Sequence, residues 1–434
     1  MLRRRLLFSF LSAGFLACSA PQTAPSRNAG AAPTSLSLPV PEESRLEAIR
    51  ARLDRLAADD WSFWKEHGPD RELGGFHGTL DRKGSAIAPT DKGLIQQTRH
   101  LWSTSLWYEK KERTAEVKAL SDDLYRFLMA HFYDAGAKEF HFKVSRSGEP
   151  VDTKKVLYAN SFAIYALVQY ARVYGAKEAA DTALACFRAI DTRAHDAKFG
   201  GYYQENDPPW LTPGAQKETN THLHLMEAFS ALYAYGKDPL VKQRLEELVG
   251  IFQTKILQKE GYARKDFLLD WSPFGEAEVS YGHDIETSWL LVESAESLGR
   301  AEDAGVRKAA LTIGSTSVDW GFDSQRGGMF EEGPPAGPSV KREKIWWIQA
   351  EALPGLYELY LLSKDAKYLD RLETTLDWIE RHQVDREFGG WYWGVLEDGR
   401  IGPHGDGKGE EWKAAYHDLR ATVLTAEWIR TRKQ

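Results

Sequence analysis

A beat of about sixty residues runs through this chain and limits what it can fold into. Six apolar stretches carry a marker residue at the same point of the repeat: Arg99, Asn160, His224, Glu286, Trp347 and His417, separated by 61, 64, 62, 61 and 70 residues. Glycine pairs ahead of a bulky residue keep the same interval, at Gly74-Gly75-Phe76, Gly200-Gly201-Tyr202, Gly327-Gly328-Met329 and Gly389-Gly390-Trp391. Weaker versions fill the gaps at Lys138-Glu139-Phe140 and Glu260-Gly261-Tyr262. Self-similarity at such an interval means one supersecondary unit used repeatedly.

The unit reads as a charged amphipathic helix (44–67, 113–133, 238–257), a glycine-aromatic loop, and a more apolar helix bearing the marker. A helix that is apolar on nearly all sides is buried, and a half-polar one sits outside. Six units give twelve helices, six inner and six outer. Such units stack as an open solenoid or close into a ring. A ring explains the polar groups near one end of every inner helix, because they then line a shared axial pocket. The predicted fold is all-α: an (α/α)6 barrel, or toroid, of six helical hairpins with short Gly-aromatic loops, spanning 44–434.

A ring grows by adding units, so 434 residues need no second core. The net charge of −7 becomes −10 without the three leader arginines, and no basic stripe exists. Nucleic acid is thereby excluded as a partner, and an anionic membrane surface with it. Tryptophan is abundant, with 15 residues. Many flank the markers: Trp102, Trp107, Trp289, Trp346, Trp347, Trp391, Trp393 and Trp412. Aromatic-lined concavities suit small molecules, and flat rings complement the C–H faces of sugars. The same residues also serve as large core fillers.

The N-terminus reads as an address. Arg3-Arg4-Arg5 precedes the apolar run Leu6 to Leu16, too short to span a bilayer. Phe15-Leu16-Ala17-Cys18 resembles a lipobox with Cys18 as the lipidated residue; an ordinary cleaved signal is the alternative. Residues 1–18 are thus expected to be a signal and 19–43 a disordered, polar tether. The protein is expected to be exported, as a periplasmic or membrane-anchored bacterial lipoprotein that meets the membrane only through this anchor. Cys186, in Leu184-Ala185-Cys186-Phe187, reads as a small core residue.

The chemistry gathers on the inner helices. His283 and Glu286 are three apart and share a face, whereas Asp284 points elsewhere. His224 and Glu227 repeat the relation, with Asn220 four before His224. Lys413, Tyr416, His417 and Arg420 cluster at helical spacings, as do Arg99 and Trp102. One buried histidine is usually a satisfied core residue. Three on three inner helices of one ring would repeat a desolvation cost without purpose. No His or Cys pair has metal-ligand spacing: His222 and His224, two apart, face different ways. Neither a metal nor a cofactor is expected. There is no nucleophile elbow and no phosphate-cradling glycine loop, since the glycine pairs belong to the repeat.

The segments Asn220-Thr221-His222-Leu223-His224-Leu225-Met226-Glu227-Ala228 and Ser280-Tyr281-Gly282-His283-Asp284-Ile285-Glu286 resemble those of the cellobiose 2-epimerases, in the N-acylglucosamine 2-epimerase superfamily. So do Lys344-Ile345-Trp346-Trp347-Ile348-Gln349-Ala350-Glu351 and Trp412-Lys413-Ala414-Ala415-Tyr416-His417. The resemblance covers 44–430 and implies an (α/α)6 barrel. It implies reversible epimerisation at C2 of the reducing-end sugar of β-1,4-linked disaccharides: cellobiose, with lactose or mannobiose as further candidates. An oligosaccharide is a further candidate substrate.

Inverting a carbon beside an aldehyde means opening the ring, removing a weakly acidic C–H and returning a proton to the other face. Two imidazoles on opposite walls suit that task. The resemblance implies that His417 removes the C2 proton of glucose and His283 returns one across a cis-enediolate. It makes Arg99 and His224 donors to the enediolate and gives Glu286 the task of orienting His283 or assisting ring opening. Tyr158, Asn220, Trp346, Glu351 and Trp393 are implied as substrate-binding residues. The chain departs from the usual family residues at Ala415, Asp418 and Thr287, beside the proposed histidines. Two superfamily alternatives are an aldose–ketose isomerase, which returns the proton to C1, and an N-acylglucosamine 2-epimerase. Two from other classes are a toroidal glycoside hydrolase using carboxylates such as Asp284 with Glu351, and a non-catalytic sugar-binding protein.

Overall fold

The computed structural model describes residues 42–203 and 216–432; the expected signal, Cys18 and most of the expected tether lie outside them. Twelve α-helices follow one another among the described residues. The inner six are α2 (Leu94–Lys110), α4 (Leu157–Tyr174), α6 (Thr219–Gly236), α8 (Tyr281–Ser297), α10 (Trp346–Ser363) and α12 (Tyr416–Thr431). The outer six are α1 (Glu42–His67), α3 (Ala115–Phe127), α5 (Lys177–Ala194), α7 (Pro239–Ile251), α9 (Ala304–Gly321) and α11 (Lys367–Trp378). Each inner helix packs on the next, and α12 returns to α2, so the ring is closed. No described helix is long and apolar enough to cross a membrane.

The tight hairpins run inner then outer, half a unit out of phase with the sequence reading: α2 with α3, α4 with α5, α6 with α7, α8 with α9 and α10 with α11. The first outer helix, α1, packs on the last inner one, α12. Short turns join these pairs, and stops and caps mark them: Thr114, Asp238 and Asp303 cap α3, α7 and α9 by accepting backbone N–H bonds. The glycine-aromatic connections, from outer to next inner helix, are the long ones. They carry short strands that pair antiparallel from one connection to the next: Lys92–Gly93 with Lys143–Val144, Gln216–Glu218 with Asp266–Leu268, Val279–Ser280 with Glu332–Gly333, and Lys344–Ile345 with Gly394–Val395. A bridge between Leu80 and Gly409 joins the first connection to the last. This belt surrounds the N-terminal ends of the inner helices.

One face of five inner helices, α2, α4, α6, α8 and α10, grips the belt. Gln97 Oε1 accepts from Phe76 N, Asn160 Oδ1 from Phe140 N, His222 Nε2 from Tyr202 N and Gln349 Oε1 from Met329 N, at 2.8, 2.8, 2.9 and 2.8 Å. The Asp284 carboxylate takes Ala263 N at 3.3 Å. These grips explain the glycine pairs. Gly201 has φ +74°, and a Cβ there would lie 2.7 Å from His222 Nε2. Four residues before each full pair stands an aspartate, and a buried lysine closes the motif. Lys92, Lys217 and Lys344 donate to Asp70, Asp196 and Asp323 at 3.1, 2.7 and 2.8 Å, and to the carbonyls of Gly74, Gly200 and Gly327.

Candidate active site

Two residues along an α-helix is a rotation of about 200°. Moving two positions on from the grips Gln97, Asn160, His222, Asp284 and Gln349 therefore reaches the opposite face, which looks down the axis. Those positions are Arg99, Phe162, His224, Glu286 and Glu351, and Arg420 takes the corresponding place in α12. Of the six repeat markers, Asn160 belongs to the gripping face and the site does not contain it.

Arg420 is the hub. Fully buried, it donates to Glu351 Oε1 at 2.6 Å and forms short ion pairs with Glu227 and Glu286. Tyr416 donates to Glu227 at 2.7 Å and sits against the same guanidinium. Burial resists ionisation of every member, and the charges then sort them. Arg420 and His224 outweigh burial at Glu227 and hold its carboxyl below the ordinary range. Burial and the Glu351 charge push Glu286 up to about 7. Glu286, Glu351 and His417 each place a ligand-type atom within 4.8 Å of the others, but the positive charge among them is the guanidinium.

The three histidines ring this cluster. His417 Nδ1 lies 2.7 Å from Glu351 Oε1. Arg420 shares that oxygen, so Glu351 accepts from Nδ1 and leaves Nε2 as the basic nitrogen. His224 Nδ1 lies 2.9 Å from Glu227 Oε2. His283 packs on the Trp347 indole, ring centroids 4.7 Å apart, and His417 packs on the same indole at 5.8 Å. Gly282 makes this possible, since a Cβ there would meet Trp347 at 2.5 Å. Burial lowers His283 to about 3, with the neighbouring His224 adding to it. Burial, then Arg99 and Arg420, pull His417 well below the usual histidine range. Both rings are therefore neutral when the site is at rest.

Arg99 donates to the Trp412 carbonyl at 2.6 Å and to Tyr158 Oη at 3.1 Å, and its Nε is buried without a partner. Asn220 Oδ1 and Glu286 Oε2 are also buried and unpaired. Unpaired polar atoms on three inner helices are groups that a polyhydroxylated ligand satisfies. Asn220 and His283 share a cavity of about 210 Å³ with Lys265, Asp266 and Glu332.

Three sequence expectations change. Glu286 does not orient His283, because its carboxylate is turned to Arg420. Trp346 is 2 % exposed and packs on Trp393 and Lys413; Trp347, one residue and about 100° on, is the indole between the histidines. Trp393 remains partly open and stacks on His404 at 5.6 Å. The hydrolase pairing fails, since Asp284 grips the belt while Glu351 faces the axis. Of the tryptophans beside the markers, Trp102, Trp107, Trp289, Trp346 and Trp391 are buried fillers, whereas Trp412 is 45 % exposed at the mouth. Arg420 and Trp347 are the residues the site reading lacked. Helical spacing from His417 marks the first, and the glycine at 282 marks the second.

The family model for N-acylglucosamine 2-epimerase (GlcNAc 2-epimerase) matches residues 74–421. Cellobiose 2-epimerase of Bacteroides fragilis is 32 % identical over 372 residues, covering 83 % of this chain and 94 % of that protein. The Dictyoglomus turgidum cellobiose 2-epimerase is 31 % identical, covering 82 % and 92 %. The solved structure of cellobiose 2-epimerase from Spirochaeta thermophila superimposes with a TM-score of 0.83 at 33 % identity, covering 91 % of this chain and all of that one.

Proposed function

The chain belongs to the N-acylglucosamine 2-epimerase family and is a carbohydrate epimerase, and from the geometry of its axial site we propose the reaction and its catalysts. The substrate is a β-1,4-linked disaccharide, cellobiose first among them, and the reducing-end sugar is inverted at C2. The carrying observation is that His283 and His417, from non-adjacent inner helices, pack on one indole, Trp347.

In the direction from glucose, His417 Nε2 takes the C2 proton, and Glu351 supports the imidazolium that forms. The electron pair left at C2 becomes the cis-enediolate, whose negative charge meets Arg99 and the N-terminal ends of α4, α6, α8 and α12. His283, neutral at rest, delivers a proton to C2 from the other face as it takes one from solvent, and His417 returns its own to solvent; in reverse the roles exchange. His224, held by Glu227, is a further donor to the enediolate, and Glu286 assists ring opening. Tyr158, Asn220 and Trp393 bind the sugars. Export, with Cys18 as the lipid acceptor, completes the reading; palmitate labelling lost in Cys18→Ala tests it.

Incubation with cellobiose in D2O, followed by NMR, tests the chemistry. Deuterium at C2 of a mannose-ended disaccharide is expected, and its loss by more than about 1,000-fold in His283→Asn and in His417→Asn. A ketose product would make the enzyme an isomerase. Full activity in either variant would remove the two-histidine scheme.

A further inference from the structure

Beyond the arginine–carboxylate cluster, among the C-terminal ends of α2, α4, α6 and α8, lies a second cavity of about 490 Å³. Glu227 lines it, but the carboxylate of Glu227 is already taken by Tyr416 at 2.7 Å, by His224 at 2.9 Å and by Arg420. Arg99, His283 and His417 do not line this chamber, so it stands apart from the candidate active site. Its volume falls within the range of small-molecule pockets.

The chamber holds a polar group that the protein leaves unanswered. Gln169, on α4, is only 7 % exposed, and its Oε1 accepts from Arg172 Nη2 at 2.9 Å. Arg172 is fixed in turn by two bonds to Glu109, at 2.7 and 2.6 Å. A guanidinium only donates, so the amide oxygen must face it and Nε2 is the free end. That Nε2 is buried with no hydrogen-bond partner. A buried donor without an acceptor is costly unless something else supplies one. Around the same space stand Glu293 from α8 and the stacked pair Trp102 and Tyr165, ring centroids 5.3 Å apart.

These groups select a chemistry. An anion would meet the carboxylates of Glu227 and Glu293. An ammonium has no acceptor to offer the Gln169 amide. A hydroxyl can accept from the amide and donate to a carboxylate, and an indole beside a phenol suits the C–H face of a ring. We propose that this rear chamber is a second saccharide site, which takes a single neutral pyranose, with one hydroxyl accepting from Gln169 Nε2, another donating to Glu293, and the ring against the Trp102–Tyr165 pair. A ring bound there shares the Glu227 wall with the catalytic cluster and leaves the mouth free.

Equilibrium dialysis of the full chain against radiolabelled methyl β-D-glucopyranoside tests this. The blocked anomeric carbon keeps the probe from reacting, so the readout needs no turnover and stands whatever product cellobiose yields. Ala231→Trp, which fills the chamber, should lose one bound probe per chain relative to the wild type. Trp347→Ala, which removes the indole between the two histidines, should keep that probe. Gln169→Leu should weaken its affinity about 3- to 10-fold, the worth of one hydrogen bond, and decides the matter if either larger change prevents folding. Melting temperatures show which variants are folded. Equal stoichiometry in the wild type and Ala231→Trp, or binding unmoved in Gln169→Leu, overturns the proposal. So does loss of all binding in folded Trp347→Ala, or a wild type that binds no probe.

Discussion

At the scale of the residue, one guanidinium answers three carboxylates. Arg420 is without solvent, and so are Glu227, Glu286 and Glu351 around it. Removing one partner from a buried ionic cluster leaves charge uncompensated, at about 3–5 kcal/mol. Arg420→Met should lose that much in urea denaturation at pH 8 and markedly less at pH 5. Without the arginine the folded carboxyls titrate higher, so the penalty begins at their unfolded values and grows as pH rises. A loss independent of pH would show that Arg420 acts by packing alone. Sequence spacing placed Arg420 beside His417 on one helix, yet it could not reveal the cluster. Periodicity tells which residues of a helix share a face, not which side chains of different helices meet across an axis. For the same reason it could not choose between Trp346 and Trp347, adjacent residues that only the packing of Gly282 distinguishes.

At the scale of the element, the gripping inner helices α2, α4, α6, α8 and α10 do two jobs on opposite faces, and His222 and His224 separate them on α6. His222 Nδ1 donates to the Glu218 carbonyl at 2.7 Å and its Nε2 accepts from Tyr202, so both nitrogens serve the belt. His222→Ala should cost about 1–3 kcal/mol of stability, the price of an unsatisfied buried N–H. His224→Ala should instead lower kcat by at least about 100-fold, with a smaller loss of melting temperature than His222→Ala. Thermal unfolding and steady-state kinetics on the pair check the contrast; equal effects on both readouts would erase the distinction between faces. Gly201→Ala belongs to the same argument. Its left-handed backbone and the 2.7 Å approach to His222 predict a loss of at least about 1–2 kcal/mol. The glycine pairs and the inner-helix markers were legible because both recur. The grips at Gln97, Asp284 and Gln349 were not, because different residue types do one job there and hide the repeat.

At the scale of the molecule, the repeat alone allowed a solenoid or a ring, and closure is what brings the three histidines around one axis. The seam is made by α1 on α12, by α12 on α2 and by the bridge from Leu80 to Gly409. From α1, Ile49, Leu53, Leu56, Trp61 and Trp64 are buried. Burying each contributes about 1.5–3 kcal/mol, so together they match the whole stability of a typical domain, about 5–15 kcal/mol. The unit that begins at Glu42 is compact in itself. A chain starting there should keep a single cooperative unfolding transition and wild-type kcat on cellobiose. A chain starting at Gly68, without α1, should show neither. The two architectures diverge at this point. A solenoid stripped of one terminal helix keeps most of its nearest-neighbour interfaces and unfolds a few degrees earlier. A ring stripped of its seam leaves the outer side of α12 bare, and α12 carries both His417 and the arginine that binds the other walls together. Calorimetry on the shorter chain decides it: a retained sharp transition would mean that the ring is not the cooperative unit.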